Sequence, residues 1–147
     1  MVRNIKLNSL ENNISIIPNA LNKNNSFENF SQTDFTAGAA QASFGKKSNH
    51  GLKNNKSISN VSYKTLGLAI DSLIKFNVLD KPQIIKIDVD GNEVEIIEGC
   101  KEILLSAENL YLMVEIRDET RESIFTKLKS YGFKQKDQIK DNSFWEK

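Results

Sequence analysis

Apolar positions in this chain follow two rhythms. From residue 84 onward, short β-branched runs alternate with stretches in which apolar residues recur every three or four positions. Ile84, Ile85, Ile87 and Val89 are nearly continuous, which predicts a strand covered on both faces, as in a parallel sheet. Val94, Ile97, Cys100 and Leu104 then predict one amphipathic helix over 93–105. Leu110 to Ile116 predicts a second apolar strand with an acid near its end. Ile124, Phe125 and Leu128 share one face of a helix over 119–129. Tyr131-Gly132-Phe133 opens a strand, and the Asp141-Asn142 turn before Ser143-Phe144-Trp145 predicts a terminal hairpin. Strands alternating with helices predict an α/β sheet.

The pattern before residue 84 is weaker. Residues 3–10 predict a short helix with Ile5 and Leu10 as its apolar contacts, and Ile14 to Ile17 predicts a strand stopped by Pro18. Residues 22–60 are rich in Asn, Ser, Lys and Gly, and predict a polar, flexible insertion or a lid. Phe27, Phe30, Phe35 and Phe44 interrupt it, either as core anchors or as a docking face. Val61 to Thr65 predicts a short strand. Leu68, Ile70, Leu73, Ile74 and Leu79 predict a helix before Pro82.

Chemistry concentrates where the Ile84 strand ends. In open α/β sheets ligands sit at the carboxyl ends of strands, and this strand delivers Lys86, Asp88 and Asp90 there. Gly91 allows a tight turn, and Asp90 with Glu93 has the spacing of a capping box. Asp88 lies between Ile87 and Val89, where a carboxylate must be paired or face a polar cleft. Lys86 shares its face, so a functional carboxylate and a structural ion pair both fit. A calcium loop does not fit: glycine falls at the fourth position instead of the sixth, and no metal site is expected. Gly99 inside a helix costs about 1 kcal/mol relative to alanine, which a close helix–sheet contact would justify.

Composition narrows the classes. The chain has 147 residues, enough for one domain; 39% are hydrophobic, enough for a core. A net charge of +1 argues against nucleic acid as a partner. Its one cysteine, Cys100, excludes an internal disulfide and falls on the apolar helix face, where a buried thiol is expected. The one histidine, His50, lies in a polar stretch without an evident partner. Residues 1–10 lack a signal-peptide core and no run is long enough to span a bilayer, so a cytoplasmic protein is expected.

Lys86-Ile87-Asp88-Val89-Asp90-Gly91-Asn92-Glu93, with the acidic apolar helix and Gly99 that follow, resembles the signature of the FkbM-type methyltransferase family. Members usually carry Glu at position 90 and Ala at 92. Thr65 through Leu73, with Asp71 inside, resembles the family's Thr-Leu-Asp segment, and Val114-Glu115-Ile116 its Val-Glu-Ile strand. Residues 4–8, 14–17 and 19–21 resemble its upstream helix, strand and turn.

The resemblance implies a Rossmann-like class I methyltransferase fold with strand order 3-2-1-4-5-7-6. On that mapping Ile14 to Ile17 is the third strand, the Ile84 strand the fourth and the Leu110 strand the fifth. The terminal hairpin supplies the last two. It implies S-adenosylmethionine as cofactor and methyl transfer to a hydroxyl of a small molecule or glycan. Asp88 would lie by the methyl group and the acceptor oxygen, Lys86 and Glu115 would shape the acceptor side, and Asn19 and Ala20 would lie near the adenine.

The family's first two strands and glycine-rich turn have no counterpart here. The expectation is therefore a single partial domain over 1–147, truncated at its N-terminus. The Ile84 strand would then be an apolar edge, covered by a rearrangement, a second chain or a homo-oligomer. The alternative function is a non-catalytic remnant or accessory interaction domain. For a phosphoacceptor receiver domain, the chain lacks the acidic pair needed after the first strand.

Overall fold

The computed structural model describes residues 1–32, 42–45 and 61–147. Phe35 and His50 lie outside them. The described chain is mixed α/β with two four-stranded sheets. Helix α1 (Val2–Leu7) comes first and buries only Ile5. The first sheet is built from β1 (Ala20–Leu21), β2 (Ser26–Gln32), β3 (Ala42–Phe44) and β4 (Val61–Leu68), in the order β1-β4-β2-β3. Strand β1 is parallel to β4, and β2 is antiparallel to both β4 and β3.

This sheet departs from the sequence expectation in two places. Ile14 to Ile17 does not form a strand: Ile14 and Ile16 are exposed, and pairing begins only at Ala20, against Gly67. β-branched character favours extended backbone, but a strand also needs a neighbour to bond. Strands β2 and β3 lie within the segment read as a polar insertion. Their partner is distant in sequence: Phe30 pairs with Tyr63, ring centroids 5.5 Å apart. Phe27 points away, 71% exposed. Phe44 is buried and lies over Gly67, leaving no room there for a side chain.

Helix α2 (Ile70–Lys75) leads to the second sheet, which holds the main core. Its strands are β5 (Ile84–Ile87), β6 (Tyr111–Glu115), β7 (Lys134–Ile139) and β8 (Asn142–Glu146), in the order β5-β6-β8-β7. Only β5 and β6 are parallel; the terminal hairpin pairs antiparallel. The predicted helix over 93–105 is two helices, α3 (Glu93–Gly99) and α4 (Lys101–Ser106), which break at Cys100. Helix α5 (Asp118–Ser130) joins β6 to β7.

One face of this sheet is covered. Ile85, Ile87, Leu112, Val114 and Trp145 form a buried cluster with Ile96, Ile97 and Leu104 of α3 and α4 and with Ile124 and Leu128 of α5. Trp145 meets Phe125 edge to face with centroids 4.9 Å apart, and its indole N–H donates to Ser143 Oγ at 2.9 Å. Across α3 and α5, Lys127 Nζ pairs with Glu98 Oε1 at 2.7 Å, and this bond raises the ammonium's pKa. Among the described residues the other face is open, with Ile84 72% and Tyr111 58% exposed. The expectation that β5 is covered on both faces is therefore corrected. Its alternate residues are buried and exposed, the period-2 signature of a strand packed on one side. Among the described residues no strand lies beyond β5.

Candidate functional site

The register places the candidate catalytic residues together. Ile84 pairs with Tyr111, Lys86 with Met113 and Ile87 with Val114. One step further brings Asp88, just past β5, level with Glu115 at the end of β6. Side chains two apart share a face of a strand, so Lys86, Asp88 and Glu115 all stand on the open face at the carboxyl ends of two parallel strands. Lys86 Nζ pairs with Asp88 Oδ2 at 2.7 Å, and both side chains are about half exposed. Of the two readings of Asp88, the ion pair is therefore present. It does not bury the carboxylate.

Beyond the strand the chain turns through Gly91, which has φ +97°. The expected capping box between Asp90 and Glu93 is not made. Asp90 does not cap α3; its Oδ1 accepts from Arg117 Nη2 at 3.0 Å, and Asn92 stands at the N-cap with no side-chain cap bond. Glu93 does reach back, its Oε1 accepting the Gly91 N–H at 3.1 Å. Asp90 is drawn off because Arg117, at the start of α5, offers a charged donor, and charge-assisted bonds exceed neutral ones.

Glu93 is fully buried, and its Oε2 has no hydrogen-bond partner among the described residues. Burial raises its pKa, against the bonds from its own backbone and Gly91 and the nearby Arg117 charge, which lower it. A cavity of about 340 Å³ opens beside this turn, lined by Glu115, Ile116, Arg117, Asp118 and Asp141. Arg117 thus joins the Asp90 turn to the cavity wall. Arg117 is absent from the sequence-based candidates, although it directly follows Val114-Glu115-Ile116 at a strand end, the signal that marks it.

Asn19 and Ala20 sit in a different setting. Asn19 Nδ2 donates to the Leu66 carbonyl at 3.2 Å, and Ala20 pairs with Gly67 in the β1–β4 ladder. The end of β1 does approach the other sheet's helices: Asn92 Nδ2 donates to the Leu21 carbonyl at 3.1 Å. The Asn22 carbonyl occupies the space a Cβ on Gly99 would need. The close contact expected at Gly99 is therefore present, made with backbone at the end of β1.

An adenine near Asn19 and a methyl group near Asp88 would need one continuous hollow. The 340 Å³ cavity touches neither Asn19, Ala20 nor Asp88. Among the described residues, no cluster of His, Cys, Asp and Glu has the makings of a metal site. Cys100 is fully buried, as expected, and burial, with the Asp71 charge second, pushes its thiol pKa up to about 12. It is no nucleophile.

The sheet order β5-β6-β8-β7, parallel then twice antiparallel, reproduces the 4-5-7-6 run of a class I methyltransferase, with acids at the ends of its fourth and fifth strands. This strand order is that of the methyltransferase fold class. Residues 2–134 match the methyltransferase FkbM domain, and the chain belongs to that family. No curated protein and no solved structure matches it. Among the described residues, no helix is long and apolar enough to cross a membrane.

Proposed function

We propose that the chain serves S-adenosylmethionine-dependent O-methylation, with a hydroxyl of a sugar, glycolipid or related small molecule as acceptor. The observation that supports this most is the shared face of Lys86, Asp88 and Glu115 at the carboxyl ends of β5 and β6. Asp88 orients the acceptor hydroxyl and takes its proton. Lys86, 2.7 Å away, holds the Asp88 carboxylate in place. Glu115, on the cavity wall, shapes the acceptor side. The family implies S-adenosylmethionine as methyl donor, and Asn19 and Ala20 are the candidates to lie near its adenine.

A second reading, a non-catalytic accessory domain, draws on the ion-paired Asp88 and on the Asn19 amide, whose N–H is taken by Leu66. Isothermal titration of the chain with S-adenosylmethionine separates the two. A saturable isotherm in the micromolar range supports the enzyme. No heat at millimolar donor favours the accessory domain.

A further inference from the structure

Strand β5 offers more than an uncovered edge: its sequence is complementary to itself. The Gln83 carbonyl accepts the Tyr111 N–H at 3.0 Å. Hydrogen-bonding residues alternate along a parallel strand, so Gln83, Ile85 and Ile87 turn their backbone groups toward β6. Ile84, Lys86 and Asp88 turn theirs outward, to an edge that no strand occupies among the described residues.

Residues 85–89 read apolar, Lys, apolar, Asp, apolar. Reversed and laid alongside itself with Ile87 on the axis, this segment sets Ile87 against Ile87 and Ile85 against Val89. Lys86 then falls opposite Asp88, twice by symmetry. The parity of the backbone agrees. In this register Lys86 and Asp88, both with outward N–H and C=O groups, become hydrogen-bonded pairs, and Ile87 becomes the non-hydrogen-bonded pair. Four backbone hydrogen bonds and two opposite-charge cross-strand pairs result. The other in-phase registers are worse. Centring on Lys86 sets two ammonium groups face to face, centring on Asp88 sets two carboxylates face to face, and centring on Ile85 sets Lys86 against Ile84.

We propose that two copies of this chain join antiparallel along β5 about a twofold axis at Ile87, with Lys86 of each copy opposite Asp88 of the other. Two four-stranded sheets become one of eight strands, and an apolar edge otherwise open to aggregation is closed. The occupant is a second copy because the charge pattern reads the same from both partners. The pairing reaches no further than Val89, where the Asp90–Arg117 bond and the Gly91 turn take the chain out of the ladder. The proposal rests on this edge alone and holds whether or not the chain binds a methyl donor.

Light scattering coupled to size exclusion tests it over a concentration series. The chain runs at twice its 16.6 kDa mass. Lys86→Asp and Asp88→Lys each set like charges opposite one another twice, and each weakens the dimer by about tenfold or more. Mixed in equal amounts, the two variants regain complementary charges across the axis and form a heterodimer. Neither variant regains its intrachain pair on mixing, so this recovery separates pairing between copies from stability within one. Circular dichroism checks that each is folded; should one not be, the double swap Lys86→Asp with Asp88→Lys takes its place and is dimeric. A chain that stays at 16.6 kDa at its highest soluble concentration overturns the proposal. So do single variants that dimerise as well as the parent, and so does a mixture that remains monomeric.

Discussion

Asp71 accepts the backbone N–H of Glu102 through Oδ2 at 2.8 Å, and its other oxygen takes the N–H of Ile103 at 3.1 Å. An acid at the start of α2 thus caps α4, about 30 residues further on, where the break at Cys100 leaves new N–H groups without helical partners. Asp71 therefore has a structural task in this chain. Asp71→Ala is expected to cost about 1 kcal/mol or more, the usual scale of a lost cap. That lowers the melting temperature by about 2–4 °C in a chain of this size, which calorimetry can read.

Gly99→Ala inverts the usual rule. Alanine in a helix is worth about 1 kcal/mol over glycine. At this position the added methyl meets the Asn22 carbonyl and the Lys23 Cα, backbone atoms that cannot swing aside. A net loss of about 1–3 kcal/mol is expected, as in other overpacked sites. Urea denaturation of the variant checks the sign.

Glu93 makes stability depend on pH in a direction opposite to that of a salt-bridged acid. Burial raises its folded pKa above the ordinary 4.5. Its contribution is therefore greatest below the unfolded value and is lost as pH rises through the raised one. Glu93→Gln keeps an acceptor for the Gly91 N–H and removes the charge. The variant is expected to gain on the parent as pH climbs from 4.5 toward neutrality. Paired urea midpoints at the two ends of that window measure it; a constant difference would show that Glu93 does not titrate there.

Cys100 reports opening of the core. With no exposed surface and a thiol pKa pushed up to about 12, it is expected to resist an aromatic disulfide reagent in the native state. Labelling should follow the unfolded fraction through a denaturant series. Fast labelling without denaturant would mean that the α3–α4 break opens on its own.

Asp88 carries the catalytic proposal. In an active form of the enzyme, Asp88→Asn is expected to lower turnover about 100-fold or more, the scale of a lost acid–base group. Turnover of a labelled methyl donor is the measurement, and an unchanged rate removes Asp88 from the mechanism.

The half of the fold from β5 onward was legible because its signals are local. Isoleucine and valine runs, a 3.6-residue period and an Asp-Asn turn each predict their own element, and the chain alternates them in order. The 93–105 pattern hides the break at Cys100, because the Asp71 cap that stabilises a restart there comes from elsewhere in the chain. The first sheet was less legible for the same reason. Ser26–Gln32 is polar and lacks a clean alternation, and it becomes a strand through β4, 29 to 41 residues away. Ile14 to Ile17 has strand composition but finds no strand partner among the described residues. At the site, Asp88, Lys86 and Glu115 could be named from strand ends alone. Their ion pairing, and Arg117's capture of Asp90, needed the third dimension.

The terminal hairpin gives the molecule its own optical reporter. Trp145 is the only tryptophan, 1% exposed, with its ring against Phe125 and its N–H held by Ser143. Its emission should be blue-shifted while β8 stays docked on α5, and should move red when that closing strand peels away. Because the hairpin lies across the sheet from β5, such a signal would follow folding while staying blind to whatever joins the opposite border.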